Sequence, residues 1–176
     1  MENINLFTPR LLIRRFRPED FEDLYEYLSD EEVVRYEPYP PYTREQCRLE
    51  AVRRSKNEEF LAVCLQASGK MIGNLYFSKR EFGTWELGYV FNRHYQGCGY
   101  ATESVEALLD YAFHEKEIRR VVASCNPCNQ ASWKLLERLH MRREGHELQN
   151  VYFKTDGEGK PLWQDTYQYA ILSEEW

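Results

Sequence analysis

No stretch of this sequence approaches the roughly 20 consecutive apolar residues that span a bilayer, and the opening MENINLFTPR has no apolar run of the kind that marks a secretory signal. The expectation is a cytoplasmic protein with no membrane partner. Positive charge is also in deficit: 23 Lys and Arg stand against 29 Asp and Glu, a net charge of −6. A nucleic-acid backbone therefore lacks the basic surface it requires, and the small clusters Arg14, Arg15, Arg17 and Arg142, Arg143 do not reverse the balance. The five cysteines are odd in number and irregular in spacing, which excludes a disulfide framework. Cys125 and Cys128 in CNPC have the spacing of a redox motif. A zinc site would need a second such pair or histidines at ligand spacing, and Cys47, Cys64 and Cys98 supply neither, so no metal is expected. Internal repeats and low-complexity segments are absent.

What remains is an ordinary globular composition. At 176 residues, 43% hydrophobic and 30% charged, the chain suits one well-cored domain over residues 1–176. Aromatics are abundant, with 13 tyrosines, and they recur in strand-like stretches such as NLYFSK and VYFK, as core and sheet-face residues do.

The order of elements can be read from periodicity. LLIRRF reads as a strand, and Pro18 then opens a helix with Phe21, Leu24, Tyr25 and Leu28 on one face. The PYPPY segment breaks the pattern, and Thr43 with Gln46 forms a capping box for a polar helix through about residue 57. FLAVCLQ, MIGNLYFSK and TWELGYVF follow as an antiparallel meander. A helix from about Gly99 to Lys116 then carries Ala101, Val105, Leu108, Leu109, Ala112 and Phe113 inward, and RRVVASC returns as a strand. Strand, glycine loop, helix and strand make a βαβ unit, so two strands should be parallel. Asn129 can cap a short helix, and the chain closes on a hairpin around DGEGK. The expected class is α+β: a mixed, mostly antiparallel sheet of about seven strands with a central parallel βαβ unit and about four helices.

The segment HYQGCGYATES sits where the helix of that unit begins. The first amides of a helix have no intrahelical acceptor and lie at the positive end of its dipole, so such a place binds phosphate. Gly97 and Gly99 let main-chain amides converge and keep side chains out of the way. It is not a Walker A loop, because no lysine follows, nor a dinucleotide fingerprint, because the third glycine position is Thr102. On these residues alone, an anion cradle and a plain strand-to-helix turn both stand.

Taken together, WELGYVF, HYQGCGYATES, the NxxS of Asn129 to Ser132, TPRLLIRRFRPED and the closing WQDTYQYAIL resemble the GNAT superfamily of N-acetyltransferases, over nearly the whole chain. More narrowly, they resemble the branch that acetylates ribosomal-protein N-termini at alanine or serine. The resemblance implies a single GNAT-like domain using acetyl-CoA as cosubstrate. It places the pyrophosphate on the amides of Gln96, Gly97, Cys98, Gly99, Tyr100 and Ala101, with Thr102 adjoining. It places the pantetheine along the strand edge at Tyr89, Val90 and Phe91, and Asn129 and Ser132 at the thiol end. The tyrosine that many of these enzymes use as acid falls at Leu136, and the resemblance to the ribosomal branch assigns that role to Ser132. A serine three residues after a helix cap also bonds backbone for purely structural reasons.

For the base, Glu86 is the first choice, acting through a water. Alternation places Glu86, Gly88 and Val90 on one face of their strand and Trp85, Leu87 and Tyr89 on the other. A carboxylate among apolar neighbours is costly unless used or paired, so an ordinary ion pair or a solvent-facing glutamate is the competing reading. Glu144 and His94 are reserves. His94 also departs from the family's usual Gln or Arg, and His140-Met141 stands for its Gly-Phe. The expected activity is acetyl transfer to a primary amine, on a protein N-terminus or a small molecule, by direct attack in a ternary complex, from a monomer or homodimer. A non-catalytic acyl-CoA-binding module and a CxxC redox protein are the alternatives.

Overall fold

A computed structural model describes residues 4–176; the first three residues of MENINLFTPR lie outside the described residues. Among the described residues eight strands form one sheet in the order β1-β2-β3-β4-β5-β6-β8-β7. Their bounds are β1 Asn5–Phe7, β2 Leu11–Arg15, β3 Phe60–Leu65, β4 Met71–Lys79, β5 Thr84–Phe91, β6 Arg120–Cys125, β7 Arg142–Val151 and β8 Gln164–Leu172. The strand beyond the seven read from sequence is β1, a three-residue piece paired antiparallel with β2 and too short to show alternation. The helices are α1 Phe21–Leu28, α2 Arg44–Lys56, α3 Tyr100–Asp110 and α4 Gln130–Arg138. The expected long helix is α3 extended by a π turn over Tyr111–Glu115.

Local chemistry accounts for the helix starts. Thr43 Oγ1 accepts the Gln46 amide at 3.2 Å while Gln46 Oε1 accepts the Thr43 amide at 2.8 Å, the reciprocal box expected for α2. Asn129 Oδ1 accepts the Ser132 amide at 3.2 Å and caps α4. After α4, His140 takes φ 60°, the left-handed position for which glycine is the easier residue.

Alternation in the strands sends side chains to two cores. Ile13, Leu61, Val63, Leu75, Phe77 and Leu87 pack with Val105, Leu108, Leu109 and Leu136 from α3 and α4. On the other face Ala62, Cys64 and Met71 pack with Leu24, Tyr27, Leu28, Cys47 and Ala51 from α1 and α2. The sheet is thus covered by α3 and α4 on one side and by α1 and α2 on the other. The buried strand residues beneath α1 and α2 come from β3 and β4, with Val90 of β5 packed against them.

One pairing decides the shape of the molecule. β5 and β6 are parallel neighbours only at Thr84–Arg120, Trp85–Val121 and Glu86–Val122. Beyond that, β5 stays with β4 as far as Gly73–Phe91, and β6 stays with β8 as far as Cys125–Tyr167. The two strands part. Gly73 is what lets β4 follow β5 away: a Cβ there would lie 2.7 Å from the Val90 carbonyl oxygen and 2.5 Å from the Phe91 ring.

The start of α1 is held by a buried ion pair. Arg14 donates to both carboxylate oxygens of Asp20, at 2.8 and 2.7 Å, and Asp20 also accepts the Arg17 amide at 2.7 Å. Removing one partner strands a buried charge, so Asp20→Ala is expected to lower the stability in a urea titration by about 3–5 kcal/mol. A loss below about 1 kcal/mol would mean that the guanidinium finds water instead.

Candidate active site

Where β5 leaves β6, a cleft of about 1730 Å³ opens through the middle of the molecule. Single small-ligand pockets are commonly about 300–1,000 Å³, so this cleft has room for two reactants at once.

One end of the cleft is the glycine segment. Gly97 and Gly99 have φ 75° and 80°, in the left-handed region where a side chain is strained. A Cβ on Gly97 would meet nothing within 4 Å, so the strain there comes from the backbone alone and the space in front of it is open. The first backbone bond of α3 runs from the Glu103 amide to the Gly99 carbonyl at 3.0 Å, leaving the amides of Tyr100, Ala101 and Thr102 without an intrahelical acceptor. The Gln96 amide, expected to be part of this cradle, instead donates to the Arg93 carbonyl at 3.2 Å. The turn that positions the glycines consumes it, and the open amides begin at Gly97. Arg138 on α4 donates to Thr102 Oγ1 at 3.0 Å and lines the cleft, adding a guanidinium beside the cradle. Its spacing on α4 carries no signal of this.

The middle of the cleft is lined by the free edge of β5 and the start of α4. The edge of β5 that would face β6 has no strand partner after Glu86, so the N–H and C=O groups directed to that side, those of Tyr89 and Phe91 on either side of Val90, are available. The Tyr89 phenol crosses the gap, lying 2.9 Å from Ser132 Oγ and donating to the Ser132 carbonyl at 3.1 Å. Burial raises the Tyr89 phenol, so it is a proton donor at neutral pH. Cys125 lies close by; burial pushes its thiol up to about 11, and its contact with Ser132 only partly offsets this. That is the opposite of an activated cysteine, and Cys125 and Cys128 are both free thiols.

Of the residues picked from sequence, Glu86, Tyr89, Val90, Phe91, Gln96, Gly97, Gly99, Tyr100, Ala101, Thr102, Asn129 and Ser132 all line the cleft. Cys98 does not: its carbonyl is turned away to Arg10, 2.9 Å from Nη1. Glu86 is half-buried and forms an ion pair with Arg80, so both readings of this carboxylate, a cleft group and a paired group, describe it. The reserves are placed elsewhere. Glu144 is paired with Arg120 and Arg142, and His94 is exposed in the turn before the glycines. Leu136, in the position of the family's tyrosine, is fully buried.

The far wall comes from α2 and the segment before it. Tyr39 and Tyr42 are in ring contact at 5.0 Å, as are Phe60 and Tyr76 at 5.1 Å. Behind them Arg54, 3% exposed, donates to Glu50 at 2.7 Å and to Asn74 Oδ1 at 3.0 Å, and Tyr27 donates to the same oxygen at 2.8 Å. Burial alone would raise Glu50, but hydrogen bonds from Arg53 and Arg54 hold its carboxyl at about 2. Among the described residues there is no group of three or more His, Cys, Asp or Glu side chains placed to hold a metal ion, and no helix is long and apolar enough to cross a membrane.

An open main-chain cradle at the start of α3 thus lies at the parting of two parallel strands. Residues 10–142 match the family model for the GNAT acetyltransferase domain, and the chain belongs to that family. It is 40% identical to the uncharacterized N-acetyltransferase YnaD of Bacillus subtilis (strain 168), over 98% of this chain and 99% of that one. It is 26% identical to the ribosomal protein uS5-alanine N-acetyltransferase of Escherichia coli (strain K12), over 98% and 93%. Among solved structures, a GNAT-family acetyltransferase from Bacillus anthracis superposes with a TM-score of 0.89 at 35% identity, covering 98% of this chain and all of that one.

Two outcomes test the site. Gly97→Ala forces a side chain into the left-handed region at a cost of about 1–2 kcal/mol and places a methyl in the cradle. Calorimetric binding of CoA is expected to weaken by about tenfold or more while the chain still unfolds cooperatively; unchanged binding would remove the cradle from the site. Glu50, held low in the folded state, contributes stability that is complete above about 4.5 and is lost as pH falls toward about 2. Glu50→Gln should therefore flatten the pH dependence of the urea midpoint across that window relative to wild type.

Proposed function

We propose that the protein transfers the acetyl group of acetyl-CoA to a primary amine by direct attack in a ternary complex. The parting of β5 from β6 carries this reading, because it sets an anion cradle, unpaired strand amides and a pair of hydroxyls along one continuous cleft. The fit is chemical: diphosphate suits the open amides from Gly97 to Thr102, and the two amides of pantetheine suit the free edge at Tyr89, Val90 and Phe91. Asn129 holds Ser132 at the start of α4, on the same side as that edge.

Acetyl transfer needs a neutral amine, a donor for the thioester oxygen as it becomes anionic, and a proton for the leaving thiolate. We assign the last role to the Ser132 hydroxyl, held 2.9 Å from the Tyr89 phenol, with solvent water returning the proton to Ser132. The N–C bond forms as the C–S bond breaks, the amine proton leaves through a water to Glu86, and the thiolate takes the serine proton. Arg80 orients the Glu86 carboxylate while one of its oxygens faces that water. At pH 7 an unperturbed lysine costs about 4.6 kcal/mol to deprotonate and an α-amine about 1 kcal/mol. An α-amine asks less of a base that is already shared with Arg80, and peptide N-termini are accordingly the first acceptors to test, with small-molecule amines beside them. The relative from Escherichia coli is named for an N-terminal alanine.

Thiol release from acetyl-CoA with a panel of peptide N-termini and small amines is the test. Turnover is expected on at least one acceptor. Ser132→Ala should lower kcat by about 100-fold or more with CoA affinity kept within a few-fold, and Tyr89→Phe should lower kcat less. Tight CoA binding without turnover on any amine would overturn the enzyme reading in favour of an acyl-CoA-binding module, a reading that buried Leu136 in place of a catalytic tyrosine keeps open.

A further inference from the structure

The two glycines that let the cradle form also leave it without side chains to hold its shape, since glycine loses more conformational freedom on ordering than any other residue. A tether comes from the turn between β1 and β2. Arg10 Nη1 donates to the Cys98 carbonyl at 2.9 Å, across 88 positions of sequence. Arg10 Nε donates to Glu103 Oε2 at 2.6 Å, and the guanidinium lies over the Tyr100 ring at 4.5 Å. A Cβ on Gly99 would lie 3.4 Å from Arg10 Nη2. One planar side chain therefore touches Cys98, Tyr100 and Glu103, three of the six residues from 98 to 103, and it does so from outside the cleft.

Glu103 makes the second half of the argument. It lines the cleft in the first turn of α3, where its charge would repel a diphosphate approaching the same amides. Its carboxylate is fully engaged instead: it accepts from Thr8 Oγ1 at 2.5 Å, from the Arg10 amide at 3.1 Å and from the Arg10 guanidinium. Burial alone would raise its pKa, and the hydrogen bonds from Thr8 and Arg10 hold it below the usual value.

We propose that Arg10 is a positioning residue for the cosubstrate's diphosphate. Its fork draws the Cys98 carbonyl to the outside of the loop, which leaves the amides on the inside, and it neutralises Glu103 so that the start of α3 remains attractive to an anion. This rests on the acetyl-CoA reading above. It separates Arg10 from every group that touches the thioester, because its influence is confined to the diphosphate end.

That confinement is testable with a truncated cosubstrate. Acetyl-pantetheine carries the same thioester and no diphosphate. Arg10→Ala should weaken calorimetric CoA binding and raise the KM for acetyl-CoA by about tenfold or more, leaving kcat, and kcat/KM for acetyl-pantetheine, within about twofold of wild type. Equal losses with both thioesters would show a merely structural role and overturn the proposal, as would unchanged CoA affinity. Arg10→Lys restores the charge but neither the fork nor the stack, so it should recover only part of the affinity; full recovery would overturn the tether. Should Arg10→Ala fail to fold, the lysine variant carries the same comparison between the two thioesters. Wild-type protein that binds CoA without turning over any thioester would defeat the acetyltransfer reading and leave Arg10 to be judged on affinity alone.

Discussion

The cleft in this molecule depends on a pair of parallel strands that stop pairing. β5 and β6 share three register positions and then follow different neighbours, β5 toward β4 and β6 toward β8. A sheet edge normally exposes unpaired main chain to solvent, where it is a liability. Here two such edges face one another inside the fold, with α3 starting at one end of the opening and α4 beside it. The close approach of β4 to β5 at Gly73 is part of the same geometry, since a side chain there would push the strands apart where β5 has already lost β6.

The groups along the opening are arranged by charge and by proton availability. At the glycine end are main-chain amides, Arg138, and a glutamate paired with Arg10 and Thr8. At the centre are two hydroxyls in contact, Tyr89 and Ser132, with the phenol raised by burial. On the far side Glu86 is answered by Arg80, and Glu50 by Arg53 and Arg54. Each of these carboxylates thus has a cationic partner. The tyrosine hydroxyl comes from a strand rather than from α4, where Leu136 fills the core instead.

Much of this architecture is legible in short-range patterns of residues. The capping residues Thr43 and Asn129, the meander, the βαβ unit and the faces of β5 all follow from such patterns, and the fold has them in place. The glycine segment is recognisable because phosphate cradles need φ values and open amides that only certain residues permit. Strand β1 gives no such signal, because three residues carry no period. Gln96 falls inside the glycine motif yet outside the open cradle, because its amide is spent on a turn and hydrogen-bond direction is invisible in sequence. Arg10 and Arg138 are silent for a related reason: each acts on a residue far along the chain, and nothing in its own neighbourhood marks it.

The sequence by itself determined most of the strands and helices, β1 excepted, where the helices begin, and that one loop could receive an anion, because those properties reside in local backbone preferences and in side-chain period. Only the tertiary structure decided that β5 and β6 separate after Glu86, that the Tyr89 phenol meets Ser132, that Glu86 faces Arg80, and that Arg10 grips the cradle from outside. Those are contacts between residues six to 88 positions apart, and what selects them is the packing of two helical layers against one twisted sheet.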